Sequence, residues 1–357
     1  MKLSDVCTKG TSNIAQKDLD TRNGTYPIYG ASGFIKNVDF YHQEKPYIAI
    51  VKDGAGVGRV MQLPARSSVI GTMQYIIPNE GVSVEYLAYA LEHMNLSKYY
   101  LGAAIPHIYF KDYCSEPMPN HTPEEQAKIS HVLGLVCNLI SLRKQQLSKL
   151  DELVKSRFIE MFGDPVNNSK GLPELTLPEL GEFGRGVSKH RPRNDPKLLG
   201  GKYPLIQTGE VANSGLYITS YENTYSELGL KQSKMWQAGT LCITIAANIA
   251  KTAILTFDAC FPDSVVGFKA NDRTNNIFIH YWFSFFQAIL EAQAPESAQK
   301  NINLKILSEL KIIVPPIEQQ NEFVAFVEQT DKSKFEIQKS LEKLETLKKA
   351  LMQKYFG

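Results

Sequence analysis

The sequence is poor in the features that mark secreted, metal-binding and membrane proteins. It holds five cysteines in 357 residues, and Cys7, Cys114, Cys137, Cys242 and Cys260 form no C-x-x-C pair. An odd, scattered set points to a reduced, cytoplasmic chain rather than a disulfide framework. No apolar run approaches membrane-spanning length, and the opening "MKLSDVCTKG" has no apolar signal region. The seven histidines include no H-E-x-x-H, and Cys and His lack metal-ligand spacing, so no metal is expected. Net charge is only +2, so charge must be sought in local clusters rather than in the whole-chain balance. With 43% hydrophobic and 21% charged residues, the composition is that of a globular protein long enough for two or three cores.

Catalytic signatures are missing as well. There is no G-x-x-x-x-G-K-[ST] phosphate loop and no N/D-P-P-Y/F methyltransferase loop, and "SVIG" and "DSVVG" are not nucleophile elbows. One stretch alone suggests a nucleotide: "KDGAGVGRV", Lys52 to Val60, sets Gly54, Gly56 and Gly58 after the apolar run "YIAIV".

What the chain does have is a long internal repeat. Residues Pro123 to Gly163 match Ile317 to Gly357 without a gap: Gln126 falls on Gln320, Leu147 on Leu341, Leu150 on Leu344, Phe162 on Phe356 and Gly163 on Gly357. Proline-containing leads and Glu-rich first turns suit helix starts, and glycine suits the stops. Leu133, Val136, Ile140, Leu147, Leu150 and Val154 form an apolar stripe in the first copy; Ile337, Leu341, Leu344, Leu347 and Leu351 form one in the second. Two helices of roughly 55–60 Å are expected. Upstream the repeat continues weakly: Ile108 falls on Ile302, His107 on Asn301, "TYPIYG" on "KYPLIQ" and "SSVIG" on "DSVVG". Short β-like runs fill the segments before each helix, and "GDPVNNSKGLPE" joins the halves as a loop. The domains expected are 1–122, the helix 123–163, 164–316 and the helix 317–357.

This order of parts resembles the specificity subunit of Type I restriction–modification enzymes. The phrases that carry the resemblance are "YPIYGASGFI", "KYPLIQTGEV", "VPPIEQQ" and "RFIEMFGDP", and it covers essentially the whole chain. It implies an α+β fold: two mixed α/β target recognition domains, each reading one half of a bipartite double-stranded DNA target. Two long antiparallel coiled-coil helices separate them, with an approximate two-fold. It also implies no catalytic activity and no cofactor of the chain's own, two bound methyltransferase (modification) subunits, and a restriction subunit with translocase activity in some complexes.

Under that resemblance the DNA contacts belong to basic loops. "GRGVSKHRPRNDPKLLGGK" carries Arg185, Lys189, Arg191, Arg193, Lys197 and Lys202 against one acid, Asp195, which suits phosphate contact and guanine reading. In the first half the candidates are Lys36, Lys52, Arg59 and Arg66. Ser32, Gln74, Gln207, Thr208 and Asn248 are polar candidates for base edges, and Lys251 is a further cation. His107 is read as structural. The repeat also bears on the glycine loop: Val57, Gly58 and Arg59 fall on Ile249, Ala250 and Lys251, and Gly56 on Asn248. The small and basic residues persist while the glycine series does not, which favours a strand-connecting turn over a phosphate cradle. Two other readings compete: a nucleotide-binding enzyme built on Gly54–Gly58, and a coiled-coil scaffold without DNA affinity.

Overall fold

The computed structural model describes residues 1–100, 106–246, 248–293 and 302–357. The chain divides into two units, Met1–Gln146 with Ile337–Gly357, and Leu147–Glu336. Four helices of ten or more residues occur among the described residues: α1 (Val84–His93), α2 (Pro123–Phe162), α3 (Asn276–Gln293) and α4 (Ile317–Phe356). The dividing lines of the units fall inside α2 and α4.

In the first unit seven strands form two sheets: β1 (Cys7–Thr11), β2 (Tyr26–Gly30), β3 (Gly33–Val38), β4 (Tyr47–Val51), β5 (Val60–Leu63), β6 (Ser68–Val69) and β7 (Met73–Pro78). One sheet runs β1-β7-β4-β5, all antiparallel; the other runs β3-β2-β6, with β6 parallel to β2. The continuous apolar run of β4 reflects burial on both faces. Ile48 and Ile50 point into a core with Tyr86, Leu87 and Leu91 of α1 and Ile129 and Leu133 of α2. Tyr47, Ala49 and Val51 point the other way, to Val69, Met73 and Tyr75.

The second unit repeats this plan strand for strand. Its strands are β8 (Glu174–Leu175), β9 (Gly181–Arg185), β10 (Leu199–Leu205), β11 (Tyr217–Ile218), β12 (Asn223–Tyr225), β13 (Met235–Trp236), β14 (Leu241–Thr244), β15 (Thr252–Leu255), β16 (Ala259–Cys260), β17 (Val265–Ala270) and β18 (Ile312–Ile313). The order β9-β17-β14-β15 copies β1-β7-β4-β5, and β12-β10-β16 copies β3-β2-β6, including the parallel β10–β16 pair. Additions are peripheral: β11 on the β15 edge, β13 on β16, and the β8–β18 pair. Residues 206–222 between β10 and β12 replace the two-residue turn at Ala31 and Ser32, and they carry β11 and a short helix, Thr208–Asn213.

The long helices begin where their leads predict. Thr122 and Glu125 form a reciprocal cap at α2: the Thr122 amide donates to Glu125 (2.8 Å) and the Glu125 amide to the Thr122 hydroxyl (3.3 Å). The repeated glutamines are buried and tie each helix start to its unit. Gln126 accepts from the Ser83 amide (3.0 Å) and donates to the His121 carbonyl (3.0 Å). Gln320 accepts from the Thr274 hydroxyl (2.9 Å) and donates to the carbonyls of Arg273 (3.1 Å) and Pro315 (2.9 Å). Within each unit the helix segments run antiparallel: Lys144 pairs with Glu345 (3.1 Å) in the first, and Arg157 with Glu322 (2.9 Å) in the second. The expected stripe has one exception. Leu347 is 45% exposed, as is Leu153 at 48%, its equivalent in the first copy.

Candidate nucleic-acid interface

The glycine loop is a closed turn. The Val51 amide donates to the Arg59 carbonyl (3.0 Å) and the Gly58 amide to Val51 (2.8 Å); in the second unit Thr244 donates to Lys251 (2.9 Å) and Ala250 to Thr244 (2.8 Å). Gly58 and Ala250 both have positive φ, +84° and +58°. A phosphate cradle needs free amides. Those of Gly54, Val57, Gly58 and Arg59 are all spent on the carbonyls of Pro106, Gly54, Val51 and Gly56. The segment ahead of each long helix tethers the turn in the same way, the Ile108 amide donating to Lys52 (3.0 Å) and the Ile302 amide to Ile245 (2.9 Å). His107 joins this tether through Asp53, which its Nδ1 contacts, and its ring lies 4.1 Å from that of Tyr109. Asn301, its expected counterpart, lies outside the described residues.

The candidate contacts of the first unit are committed locally. Lys36 donates to the Leu19 carbonyl (3.0 Å) and to Asn23 (3.1 Å), Arg59 to the Ala31 carbonyl (2.9 Å), Arg66 pairs with Glu44 (3.4 Å) and Lys52 lies 3.8 Å from Asp53. Ser32 is exposed in the β2–β3 turn. Gln74 requires a correction. It lies in β7, is 2% exposed and donates to the Tyr113 hydroxyl, so it cannot reach a base edge. Its place inside the apolar run "MQYIIP" was the signal for a buried strand.

In the second unit the basic segment runs from the end of β9 to β10 and is a loop, as its Pro and Gly content suggests. Several anchors hold its path. The Gly186 amide donates to Val265 (2.9 Å), the Lys189 and His190 amides to Gln232, and the Ser233 hydroxyl to the Val187 carbonyl (2.7 Å). Asp195 accepts from the Lys197 amide (3.0 Å) and meets His190 Nε2 (3.1 Å). The Lys197 amide, and then His190, hold its carboxyl below the ordinary range. Arg191 and Arg193 converge on Asp263. Lys202 pairs with Glu227 (3.1 Å), beside Tyr203.

The side chains of Arg185, Lys189 and Lys251 make no hydrogen bond or ion pair among the described residues. Gln207 is exposed and Thr208 half-buried at the start of the short helix, and Asn248 is exposed in the β14–β15 turn. Lys251 lines a cleft of about 380 Å³ with Asp151, Lys155, His280 and Lys334. Burial holds the His280 imidazole down to about 4, helped by Lys334 and opposed by its contact with Thr252. The second unit thus offers uncommitted cations where the first offers braced ones.

Among the described residues no group of three or more His, Cys, Asp or Glu side chains could hold a metal ion, and no helix is long and apolar enough to cross a membrane.

Comparison with known proteins agrees with this duplicated plan. The chain is 23% identical over 290 residues to the MjaX type I restriction enzyme specificity subunit of Methanocaldococcus jannaschii, covering 77% of this chain and 68% of that protein. The S subunit of a Type-I restriction-modification system from M. genitalium shares the fold with a TM-score of 0.61 at 15% identity, over 100% of this chain and 95% of that one. A chain from a structure of the type I R-M system, solved for complex assembly and conformational transition, gives 0.57 at 16%, over 100% and 96%. The model of the Type I restriction modification DNA specificity domain matches twice, over residues 1–152 and 174–349, and the chain belongs to that family.

Proposed function

We propose that the chain is the non-catalytic reader of a cytoplasmic restriction–modification complex. Each unit reads one half of a bipartite duplex target, and the long helices set the spacer between the halves. The observation that carries this reading is the strand-for-strand repetition of one topology and one hydrogen-bonded turn in both units. A reader of two half-sites needs two similar modules, whereas an enzyme needs one site. The loop from Arg185 to Lys202 supplies phosphate contacts in the second unit, and Gln207, Thr208 and Lys251 add further contacts. In the first unit Lys36, Lys52 and Arg59 serve the same end with fewer free donors.

Two methyltransferase subunits dock on the helices. Supporting this, the segment L-x-K-L-[DE]-x-L occurs at Leu147–Leu153 and again at Leu341–Leu347, and its last leucine is exposed in both copies. An exposed leucine preserved by a repeat suits one contact made twice. Where a restriction subunit is present, it joins this assembly.

The test is the methylation motif of DNA from cells that carry the complex. A split target with two specified halves and an unspecified spacer is expected; a continuous short motif sinks the two-reader model. Tight nucleotide or S-adenosylmethionine binding by the isolated chain would restore the enzyme reading. Failure of the chain with its methyltransferase subunits to bind a bipartite duplex in a salt-dependent manner would restore the scaffold.

A further inference from the structure

Three charged side chains meet at the base of the β9–β10 loop. Asp263 stands on the turn before β17, fixed by the Val265 amide donating to Pro262 (3.0 Å) and the Ile245 amide donating to Ser264 (3.0 Å). Its two carboxylate oxygens face two arginines: Oδ1 meets Nη2 of Arg193, and Oδ2 lies 3.7 Å from Nη2 of Arg191. The arginines differ in what remains. Arg191 also gives Nη1 to the carbonyls of Ser188 (2.6 Å) and His190 (2.8 Å), so both its amino groups are occupied. Arg193 has no further bond among the described residues, so Nη2 keeps its second N–H, and one edge of the guanidinium, Nη2 with either Nη1 or Nε, stays free as a two-donor fork on a side chain that is 48% exposed.

The three roles follow from these commitments. Arg191 braces the loop from within. Asp263 holds Arg193 at a fixed angle from a rigid turn, which lowers the entropy lost when a planar donor pair engages a planar acceptor pair. Two guanidinium groups share one carboxylate, so the trio keeps a net positive charge facing solvent. The acceptor pair that matches a fixed guanidinium fork on duplex DNA is O6 and N7 of guanine in the major groove. A phosphate would need no such fixing, because a mobile lysine or arginine reaches it equally well.

Among the described residues the first unit has no such device. Ser67 occupies the position of Asp263, is wholly buried, and contacts the Tyr47 hydroxyl (3.0 Å) and the Pro64 carbonyl (2.7 Å).

We propose that Arg193, positioned by Asp263, reads one guanine in the half-site taken by the second unit. This rests on the reading of the chain as a two-half reader. The test uses the chain assembled with its methyltransferase subunits, with wild type, Arg193→Gln, Asp263→Asn and Arg185→Ala compared on a library of duplexes randomised across both halves. In wild type, one position in one half-site should require guanine. Both R193Q and D263N should relax that position by roughly ten- to hundred-fold, leaving the other half intact. R185A should weaken all sequences alike and lower the salt slope by about one.

The inference is overturned if R193Q or D263N leaves the motif unchanged, or weakens every sequence equally. Melting of each variant separates these results from misfolding. Should either variant melt early, Asp263→Glu, which keeps the carboxylate, must retain the guanine requirement. A wild-type motif without two halves would instead defeat the underlying reading.

Discussion

The two units bury their helices with different side chains on one plan. In the second, Phe158 and Phe162 of α2, Phe278 of α3 and Phe323 of α4 form an all-aromatic cluster, with ring centroids 5.0–5.7 Å apart. The equivalent positions of the first unit are Met352, Phe356, Tyr86 and Ile129, where only Tyr86 and Phe356 pair as rings, at 5.3 Å. The exchange of Phe for Tyr brings an obligation: the Tyr86 hydroxyl meets His121 Nδ1 at 2.8 Å, and Phe278 needs no such partner. Topology therefore survives a change of core chemistry when volume and polar satisfaction are both kept.

The largest effect expected from this contrast is on stability. Phe158→Ala should cost about 4 kcal/mol and Met352→Ala about 2–3 kcal/mol, because methionine loses fewer contacts and its site collapses more readily. Hydrogen exchange resolved by unit checks this. The comparison breaks if the two truncations cost the same, or if each loosens both units alike.

The paired turns give the next effect. Gly58 has φ +84°, and a Cβ there would sit 2.5 Å from the Ser97 amide nitrogen. Gly58→Ala should destabilise the first unit by roughly 2–3 kcal/mol. Ala250 already bears the positive φ, so Ala250→Gly trades relief of strain against lost burial and chain entropy and should stay within about 1 kcal/mol of neutral. Urea midpoints of the two variants decide it.

The paired turns also show what was legible. The repeat alone aligned Gly58 with Ala250 and placed both long helices to within a residue of their ends, since helix period, capping residues and terminal glycine are local signals. The strand order was not legible, because pairing between β1 and β7 or β9 and β17 is non-local. Nor was the partner that satisfies Gln74 inside its apolar strand, because Tyr113 is distant in sequence. Among the basic candidates, residue type could not separate Arg191 from Arg193. That distinction depends on Asp263 and on two carbonyls, which folding brings together.

A pH effect should be confined to the second unit. Aligning α1 on α3 through Tyr89 and Tyr281 sets Ala88 opposite His280. His280 is held neutral to about pH 4, mainly by burial and also by Lys334, while an unfolded histidine takes its proton near 6.5. Below that value the unfolded state binds more protons, so stability falls as pH drops from about 6.5 towards 4 and levels off beneath. The loss should reach about 2 kcal/mol, trimmed by the cleft on which His280 opens. His280→Gln should flatten the pH dependence of melting; an unchanged slope refutes the assignment.

The smallest effect separates two acidic positions that the repeat makes equivalent, Asp151 and Glu345. Glu345 pairs with Lys144, and both side chains are about half exposed, 46% and 59%. Asp151 pairs with Lys334, which is only 21% exposed and lies 3.5 Å from Asp331 as well. Burial pushes the Asp331 carboxyl up, and Lys334 opposes that shift. Lys144→Met removes a screened surface pair and should cost about 0.3 kcal/mol. Lys334→Met leaves two carboxylates facing each other, one of them half-buried, and should cost about 1–2 kcal/mol. The difference should persist in 0.5 M salt, because the deeper pair is the less screened. Equal costs would mean that the second unit's ion network is no more than the first unit's surface pair.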